Sequence, residues 1–465
     1  MPPLRLFSHY IPGRSLILIL GDLLILTASL FVTAYLSVAD LRTLSADPPL
    51  LLGKVLFLVF VGLLTFYVGG LYDRTPDLGR KEVAARALAA AAVWGILVAA
   101  LAFSFPSLSL GRFSLWFGLL MGTLGVVGLR WILSFGPATN GFRERLLFLG
   151  ATPVAERLIS ELEGNNPGYE ILGYVDDHPT HEIALSNGFR VLGTTGQLHE
   201  VVATTRAGTI VVALTERRGT FPMQAIMDCK LRGIRIEDWP TFYEKLTGKI
   251  VVQNLRPSWL VFSEGFNRTR VTRLVKRLVD VALSILFLGL GWPILLAVAL
   301  AIKVDSRGPI FFRQERVGER GRPFTLLKFR TMVQDAEAHT GPVWTVEEDA
   351  RITRVGGWLR KTRLDEFPQI LNVLKGEMSF IGPRPERPHF VAQLQGMIPY
   401  YAQRHTIKPG ITGWAQVRYR YGATIEDAEE KLQYDLYYVK NMSLFLDMLI
   451  LLSSIQVVLF GKGAR

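Results

Sequence analysis

Residues 281–302 read VALSILFLGLGWPILLAVALAI, an apolar run on which the architecture of the C-terminal half turns. At 1.5 Å rise per residue it is long enough to cross a hydrocarbon layer of roughly 30 Å. Lys276, Arg277 and Asp280 precede it and Lys303, Asp305 and Arg307 follow it, so positive charge guards both ends. If the run crossed, the strongly basic remainder of the chain would lie outside the cytoplasm, against the bias that keeps basic segments inside. Pro293, beside Gly291 and Trp292 near the middle, removes one backbone donor and obstructs the preceding turn, which bends a helix. The reading favours a re-entrant helix at about 278–302 that returns to the face it entered, with a proline-kinked span as the alternative.

Working outward toward the N-terminus, Ser15–Ala39, Val55–Leu71, Ala87–Gly111 and Phe113–Phe135 are also apolar and long enough to span. They are apolar all round, whereas helices of a soluble core are amphipathic, so four membrane spans are expected. The first is longer than a signal-peptide core and lacks a small-residue cleavage site after it. Arg5 and Arg14 precede the first span, Arg74, Arg80, Lys81 and Arg86 surround the second-to-third connection, and Arg130, Arg143 and Arg145 follow; the other two loops carry Arg42 and Arg112. Both ends of the bundle therefore face the cytoplasm. Asp22, inside the first span, is expected to be protonated or paired with another helix.

Composition agrees: 465 residues, 49% hydrophobic and 20% charged, exclude a lone small domain, a disordered tail and a coiled coil. The 52 Lys+Arg against 40 Asp+Glu leave a formal charge of +12, suited to anionic lipid, phosphorylated substrates or nucleic acid. A lone Cys229 excludes an internal disulfide framework and a four-cysteine zinc site.

From Arg145 the pattern becomes soluble α/β: a strand at Leu146–Leu149 runs into Gly150, a helix follows at Val154–Leu162, and strands recur at Ile171–Val175 and Thr209–Leu214. This is Rossmann-like, but Gly150-Ala151-Thr152-Pro153-Val154-Ala155 keeps only the first glycine of G-x-G-x-x-G. Asp176 and Asp177 stand at about the ribose-binding distance, and acidic pairs are also common after strands. A degenerate scaffold or regulator is expected rather than a working cofactor site.

Beyond the re-entrant run come Arg313, Arg316, Arg320, Arg322 and Lys328-Phe329-Arg330-Thr331-Met332, a density of forked donors that suits phosphate. No helix-turn-helix, zinc-finger or RNP-type pattern accompanies them, so nucleic acid is not the expected partner. In Arg360-Lys361-Thr362-Arg363-Leu364-Asp365-Glu366-Phe367-Pro368-Gln369 the apolar spacing through Leu374 and the stop at Gly376 place Asp365 and Glu366 at or beside a helix N-terminus. Adjacent acids there are either caps, or a nucleophile beside a carboxylate that holds a divalent cation and so screens an anionic diphosphate. Gly382-Pro383-Arg384-Pro385-Glu386 follows as a rigid turn presenting Arg384.

Lys328–Met332, Arg351–Gly356, Leu364–Gln369, Gly376–Pro385 and Lys408-Pro409-Gly410-Ile411-Thr412-Gly413-Trp414 together resemble the bacterial sugar transferase family, the monotopic phosphoglycosyl transferases. The resemblance runs from about Thr272 to Arg465, and the four preceding spans with a Rossmann-like domain are similar to the long-form members that initiate exopolysaccharide or O-antigen synthesis. The ending, Tyr434–Asn441, Ser443–Phe460 and Gly461–Arg465, is most similar to the exopolysaccharide branch. It implies a membrane α-helical bundle (1–140), a degenerate Rossmann-like α/β domain (141–265) and a C-terminal α/β catalytic domain (270–465) with a re-entrant membrane helix and interfacial helices. It also implies that Asp365 attacks the sugar-bearing phosphate of a UDP-hexose, glucose or galactose, that UMP leaves, and that the phosphosugar passes to undecaprenyl phosphate. Glu366 would coordinate Mg²⁺; Lys328, Arg330, Arg354, Arg384 and Lys408 are the implied substrate-binding residues; Pro293, Pro383 and Pro385 are structural. In the family a Ser often precedes the hairpin proline, where this chain has Trp292. A homodimer in the bacterial inner membrane, with its catalytic domain on the cytoplasmic face and in contact with membrane lipids, completes the implication.

A soluble sugar nucleotide and a lipid phosphate can meet only at the membrane interface, which suits a domain that dips in without crossing and a final apolar run, Leu444–Phe460, lying in the interface. Two rival functions share parts of this pattern. A membrane-anchored nucleotide-sugar dehydratase or epimerase needs a glycine-rich turn and a Tyr-x-x-x-Lys pair, and the chain has neither. The other rival is a non-catalytic scaffold of polysaccharide export.

Overall fold

The computed structural model describes residues 4–6, 9–11, 13–36, 48–72, 80–108, 112–135, 143–165, 168–177, 188–214, 221–253, 263, 265–266, 269–333, 351–419, 422 and 424–460. Of the positions used above, Ala39, Arg42, Arg74, Gly111, the 140/141 boundary and the tail 461–465 lie outside that set. The chain forms two compact units, residues 1–6 with 10–247 and residues 7–9 with 248–465.

The first unit contains four long apolar helices, α1 (Gly13–Leu36), α2 (Pro48–Val68), α3 (Arg80–Ser104) and α4 (Arg112–Phe135). By length and composition each can cross a membrane. Leu26, Leu30, Val55, Val59, Phe66, Trp94 and Val126 meet in a common core, while Leu24, Ile96 and Trp131 point outward. Apolar residues on both sides are what a lipid-facing bundle requires, because lipid does not punish exposed hydrocarbon. Asp22 is fully buried: Arg130 of α4 donates to both of its oxygens at 2.8 Å, and the Tyr72 hydroxyl donates to Oδ2 at 2.7 Å. Helix pairing is thus the alternative found for this carboxylate.

The same unit continues as an α/β domain with strands β1 (Glu144–Leu149), β2 (Tyr169–Val175), β3 (Val191–Gly193), β4 (Thr209–Val212) and β5 (Arg235–Asp238). They form one parallel sheet in the order β3-β2-β1-β4-β5. Helices α5 (Pro153–Asn165), α6 (Leu198–Thr205), α7 (Met223–Leu231) and α8 (Trp239–Thr247) alternate with the strands. The central strands are buried runs of Leu, Ile, Val and Phe, the composition a parallel sheet covered on both faces demands. In the turn after β1 the amide of Ala151 donates to Asp176 Oδ2 at 2.6 Å, and Asp177 accepts from the Thr195 amide and hydroxyl at 2.8 and 2.6 Å. Both acids that the sequence placed near a ribose site are therefore engaged by the chain itself.

The second unit opens with α9 (Arg270–Asp305), 36 residues that stay helical through Pro293 and are capped by the Thr269 hydroxyl, which accepts from the Thr272 amide at 3.1 Å. The antiparallel hairpin β6 (Phe311–Val317) and β7 (Pro323–Phe329) follows. Next come α10 (Arg354–Thr362), α11 (Gln369–Lys375), β8 (Ser379–Ile381) and α12 (Pro388–Met397). The chain closes with β9 (Gly410–Thr412), parallel to β8, then α13 (Trp414–Arg418), α14 (Ile425–Asn441) and α15 (Leu444–Phe460). Val373, Met378, Leu436, Tyr437, Tyr438, Leu446 and Ile450 make its core.

Helix α9 is tied to this unit along its whole length. Near its start Lys276 donates to Asp447 at 2.6 Å, Arg277 caps the end of α11 through the Val373 and Leu374 carbonyls at 2.5 and 2.6 Å, and Asp280 accepts from Ser379 and the Phe380 amide. At its far end Asp305 accepts from the Val355 amide at 3.0 Å, and Val298 and Ile302 pack on Phe329 and Leu359. The remaining face, including Leu290, Trp292 and Leu300, is apolar and exposed.

Candidate active site

Asp365 and Glu366 occupy a single 3-10 turn, Leu364–Glu366, between α10 and α11. Thr353 starts α10 by accepting from the Gly356 amide at 3.0 Å, and the helix ends where Arg363 adopts a left-handed conformation with φ of 59°. A side chain held there carries a steric cost, which only a well-determined surround sustains. The chain turns, the 3-10 turn closes by Phe367 N donating to the Leu364 carbonyl, and Pro368 opens α11 where no amide donor is needed. Gly376, at φ of 86°, stops α11 as its position in the sequence predicts. The acids therefore sit just before the helix, and both are 8% exposed.

Two cations from separate elements converge on Glu366. Lys328, from the end of β7, and Arg384, from the segment after β8, each donate to Oε1 at 2.8 Å. Burial alone would raise the Glu366 carboxyl, but Arg384 and Lys328 outweigh it and hold it far below the usual glutamate range. Asp365 goes the other way: burial and the neighbouring Glu366 charge raise it, and Lys328, Arg363 and Arg384 recover part of that rise. Burial lowers the Lys328 amine, against the pull of Glu366. Adjacent carboxyls thus experience opposite pressures, the pattern that separates two acids into two roles.

The other expected site residues are distributed differently. Pro383 and Pro385 flank Arg384, and Arg354 is exposed at the first position of α10. The Arg330 guanidinium is buried against the end of α9, donating to the carbonyls of Arg307 and Ser306 at 2.7 and 2.9 Å. Lys408 stands beside Arg277 at the C-terminal end of α11, 3.5 Å from where a side chain on Gly376 would begin. Pro293 lies two residues from Gly291, at which an added Cβ would come within 2.8 Å of the Phe367 ring. The middle of α9 therefore abuts the residue that follows the dyad.

Sequence reading missed Asn372, Arg404 and Asp435. Asn372 is fully buried, accepts from the Leu327 amide at 3.1 Å and donates to the Thr325 carbonyl and Glu377 at 2.7 Å, locking α11 to β7. Asp435 was signalled by a charge falling among Leu432, Leu436 and Val439, on the apolar face of α14.

Among the described residues no three His, Cys, Asp or Glu side chains converge on one point. Magnesium, however, is held by one or two carboxylates with substrate phosphates and water completing its shell, and an adjacent Asp–Glu pair fits that donor set. Chemically, the site offers a buried carboxylate beside a second, neutralised one, with an ammonium and a guanidinium placed to meet anionic oxygen.

A family model described as bacterial sugar transferase matches residues 271–461. The chain is 42% identical over 237 residues to the UDP-N-acetylgalactosamine-undecaprenyl-phosphate N-acetylgalactosaminephosphotransferase of Aeromonas hydrophila, a match covering 51% of this chain and 55% of that protein. It is 42% identical over 214 residues to the UDP-glucose:undecaprenyl-phosphate glucose-1-phosphate transferase of Xanthomonas campestris pv. campestris, covering 45% and 43% of the two chains. These two matches span about half the length of the relatives concerned. With the UDP-glucose:undecaprenyl-phosphate glucose-1-phosphate transferase of Escherichia coli (strain K12), identity is 32% over 362 residues, 74% of each chain. A match over that share of a relative, joined to the family match that contains the whole dyad region, settles the kinship: the chain belongs to the bacterial sugar transferase family.

Proposed function

We propose that this protein transfers hexose 1-phosphate from a UDP-hexose to undecaprenyl phosphate, the step that starts exopolysaccharide or O-antigen assembly. The observation that carries the reading is the convergence of Lys328 and Arg384 on Glu366, one residue from Asp365. With Glu366 neutralised, ionised Asp365 can approach a diphosphate without two bare carboxylates repelling it. An Asp365 oxygen bonds to the sugar-bearing phosphorus, the bond to the bridging oxygen breaks, and UMP departs with the electron pair. An oxygen of undecaprenyl phosphate then bonds to the same phosphorus, and Asp365 leaves as a carboxylate. Lys328 and Arg384 meet the charge on the diphosphate oxygens in both steps. Glu366 would hold Mg²⁺, which supplies further neutralisation of diphosphate charge when bound.

In the reading four spans hold the front of the chain in the inner membrane and α9 is re-entrant, leaving the dyad at the cytoplasmic face. Support comes from the ties of α9: Arg277 near one end and Asp305 at the other both bond backbone of the same unit. The α/β domain is taken as a Rossmann-like scaffold without a dinucleotide, because Asp176 engages the Ala151 amide that a pyrophosphate would need and would repel one. Glucose or galactose is the sugar proposed. UMP release from a panel of UDP-sugars with undecaprenyl phosphate, with intact-protein mass in the absence of acceptor, tests this. A hexose-phosphate adduct and turnover should appear in wild type and vanish in Asp365→Asn; full turnover in Asp365→Asn would overturn the assignment.

A further inference from the structure

The segment that presents Arg384 can be held by little of its own backbone. Prolines at 383 and 385 remove two donors, so it must be fixed largely through its carbonyls. All four successive carbonyls from 383 to 386 are engaged. Pro383 accepts from the Gly410 amide at 2.9 Å and Glu386 from the Val317 amide at 2.9 Å. Between them Arg384 accepts from Arg404 Nη2 and Pro385 from Arg316 Nη1, each at 3.0 Å.

Arg404 is the more constrained of the two guanidiniums. It lies in the 3-10 turn Tyr401–Thr406, and its Nε and Nη2 reach Asp435 Oδ2 at 3.0 and 2.8 Å. Its Nη1 donates to the Tyr401 hydroxyl at 2.7 Å. The Arg404 side chain is 6% exposed and that of Asp435 2%. For stability alone such a pair has no advantage, since apolar residues of equal volume serve as well or better than two desolvated charges. What apolar residues cannot supply is a donor with a set direction, and Arg404 Nη2 points out of this network at the backbone of the residue whose side chain meets Glu366.

We propose that Arg404 and Asp435 are positioning residues of the transfer: the buried pair fixes the Arg384 carbonyl and, through it, the angle at which the Arg384 guanidinium meets Glu366 and the diphosphate. The inference rests on the functional reading above. Misplacing a gripping group by about 1 Å costs on the order of 100-fold in rate. Full-length Asp435→Asn should therefore lose about 10- to 100-fold in kcat/KM for the sugar nucleotide, more in KM than in kcat. In an Arg384→Lys background, whose side chain no longer needs that angle, the same change should cost less than about 2-fold. Tyr401→Phe keeps both charges and removes one acceptor of Arg404; it should show a smaller loss, likewise absorbed in Arg384→Lys, and serves if Asp435→Asn fails to fold. Losses that multiply across the cycle, or unchanged kcat/KM per folded molecule in both variants, overturn the proposal. The same cycle read as UDP affinity by calorimetry needs no turnover. It judges the positioning separately from UMP release in wild type, which judges the functional reading, and UDP affinity equal to wild type in Asp435→Asn and Tyr401→Phe overturns the positioning as well.

Discussion

Asp365 and Glu366 are neighbours in sequence and equally buried, and the difference between them is which one the cations touch. Because burial and Glu366 raise Asp365, the carboxylate that attacks in the proposed mechanism is lost as pH falls, at a pH above the ordinary aspartate range. The sign for Lys328 follows: it lowers Asp365, so Lys328→Met should move the acid limb of kcat/KM to higher pH as well as reduce the rate. A pH–rate profile with an unmoved acid limb would remove Asp365 from the role. The dyad was legible because its basic flanks and the proline-framed Arg384 are local patterns. Which arginines reach it was not: Arg330 is as basic as Arg384, yet its guanidinium caps α9, a contact set by the tertiary path of the chain.

At the scale of elements, β1, β2 and β4 of the parallel sheet and the final helix were readable because each carries an apolar run, whereas the three-residue β3 and the Arg-Ile-Glu-Asp of β5 carry none; α15 covers Leu444–Phe460, the run picked out by hydrophobicity alone. Helix α9 extends well beyond 281–302 because its first turns, Arg270–Asp280, carry the charged contacts to α11, β8 and α15 and so do not look apolar. The separate 3-10 turn of the dyad is not legible, since the left-handed Arg363 that divides it from α10 has no signature in residue type. Asn372 joins α11 to β7, and the Asn372→Ala change leaves the Leu327 amide and the Thr325 carbonyl without that partner inside the unit. It should destabilise by roughly 2–4 kcal/mol, measured as a lower Tm with the dyad chemistry intact in the folded fraction. Similarly, Arg130→Leu strands Asp22 in the helical bundle and should cost about 3–5 kcal/mol, whereas replacing both partners by leucine should cost less; thermal denaturation in detergent compares them.

For the molecule as a whole, hydrophobicity revealed which segments meet lipid but not which of them cross it, because α9 is as long and as apolar as the four helices before it. The partners of α9 that bear on its path are distant in sequence: Arg277 with Val373 and Leu374, Asp305 with Val355. On the re-entrant reading, single cysteines at Arg273, in the first turn of α9, and Arg307, just past its end, should both react with a membrane-impermeant reagent added to inside-out vesicles. Reaction of one from each side would make α9 a fifth span. A helix gripped at both ends by one body has a mechanical consequence on the same reading. Its exposed apolar side, with Leu290, Trp292 and Leu300, would push apart the lipids of a single leaflet and leave the other unstretched. Such one-sided wedging favours outward-bulging surfaces, so reconstituted protein should sort toward small liposomes over large ones of identical lipid, and blunting the wedge with Trp292→Ala should weaken that sorting.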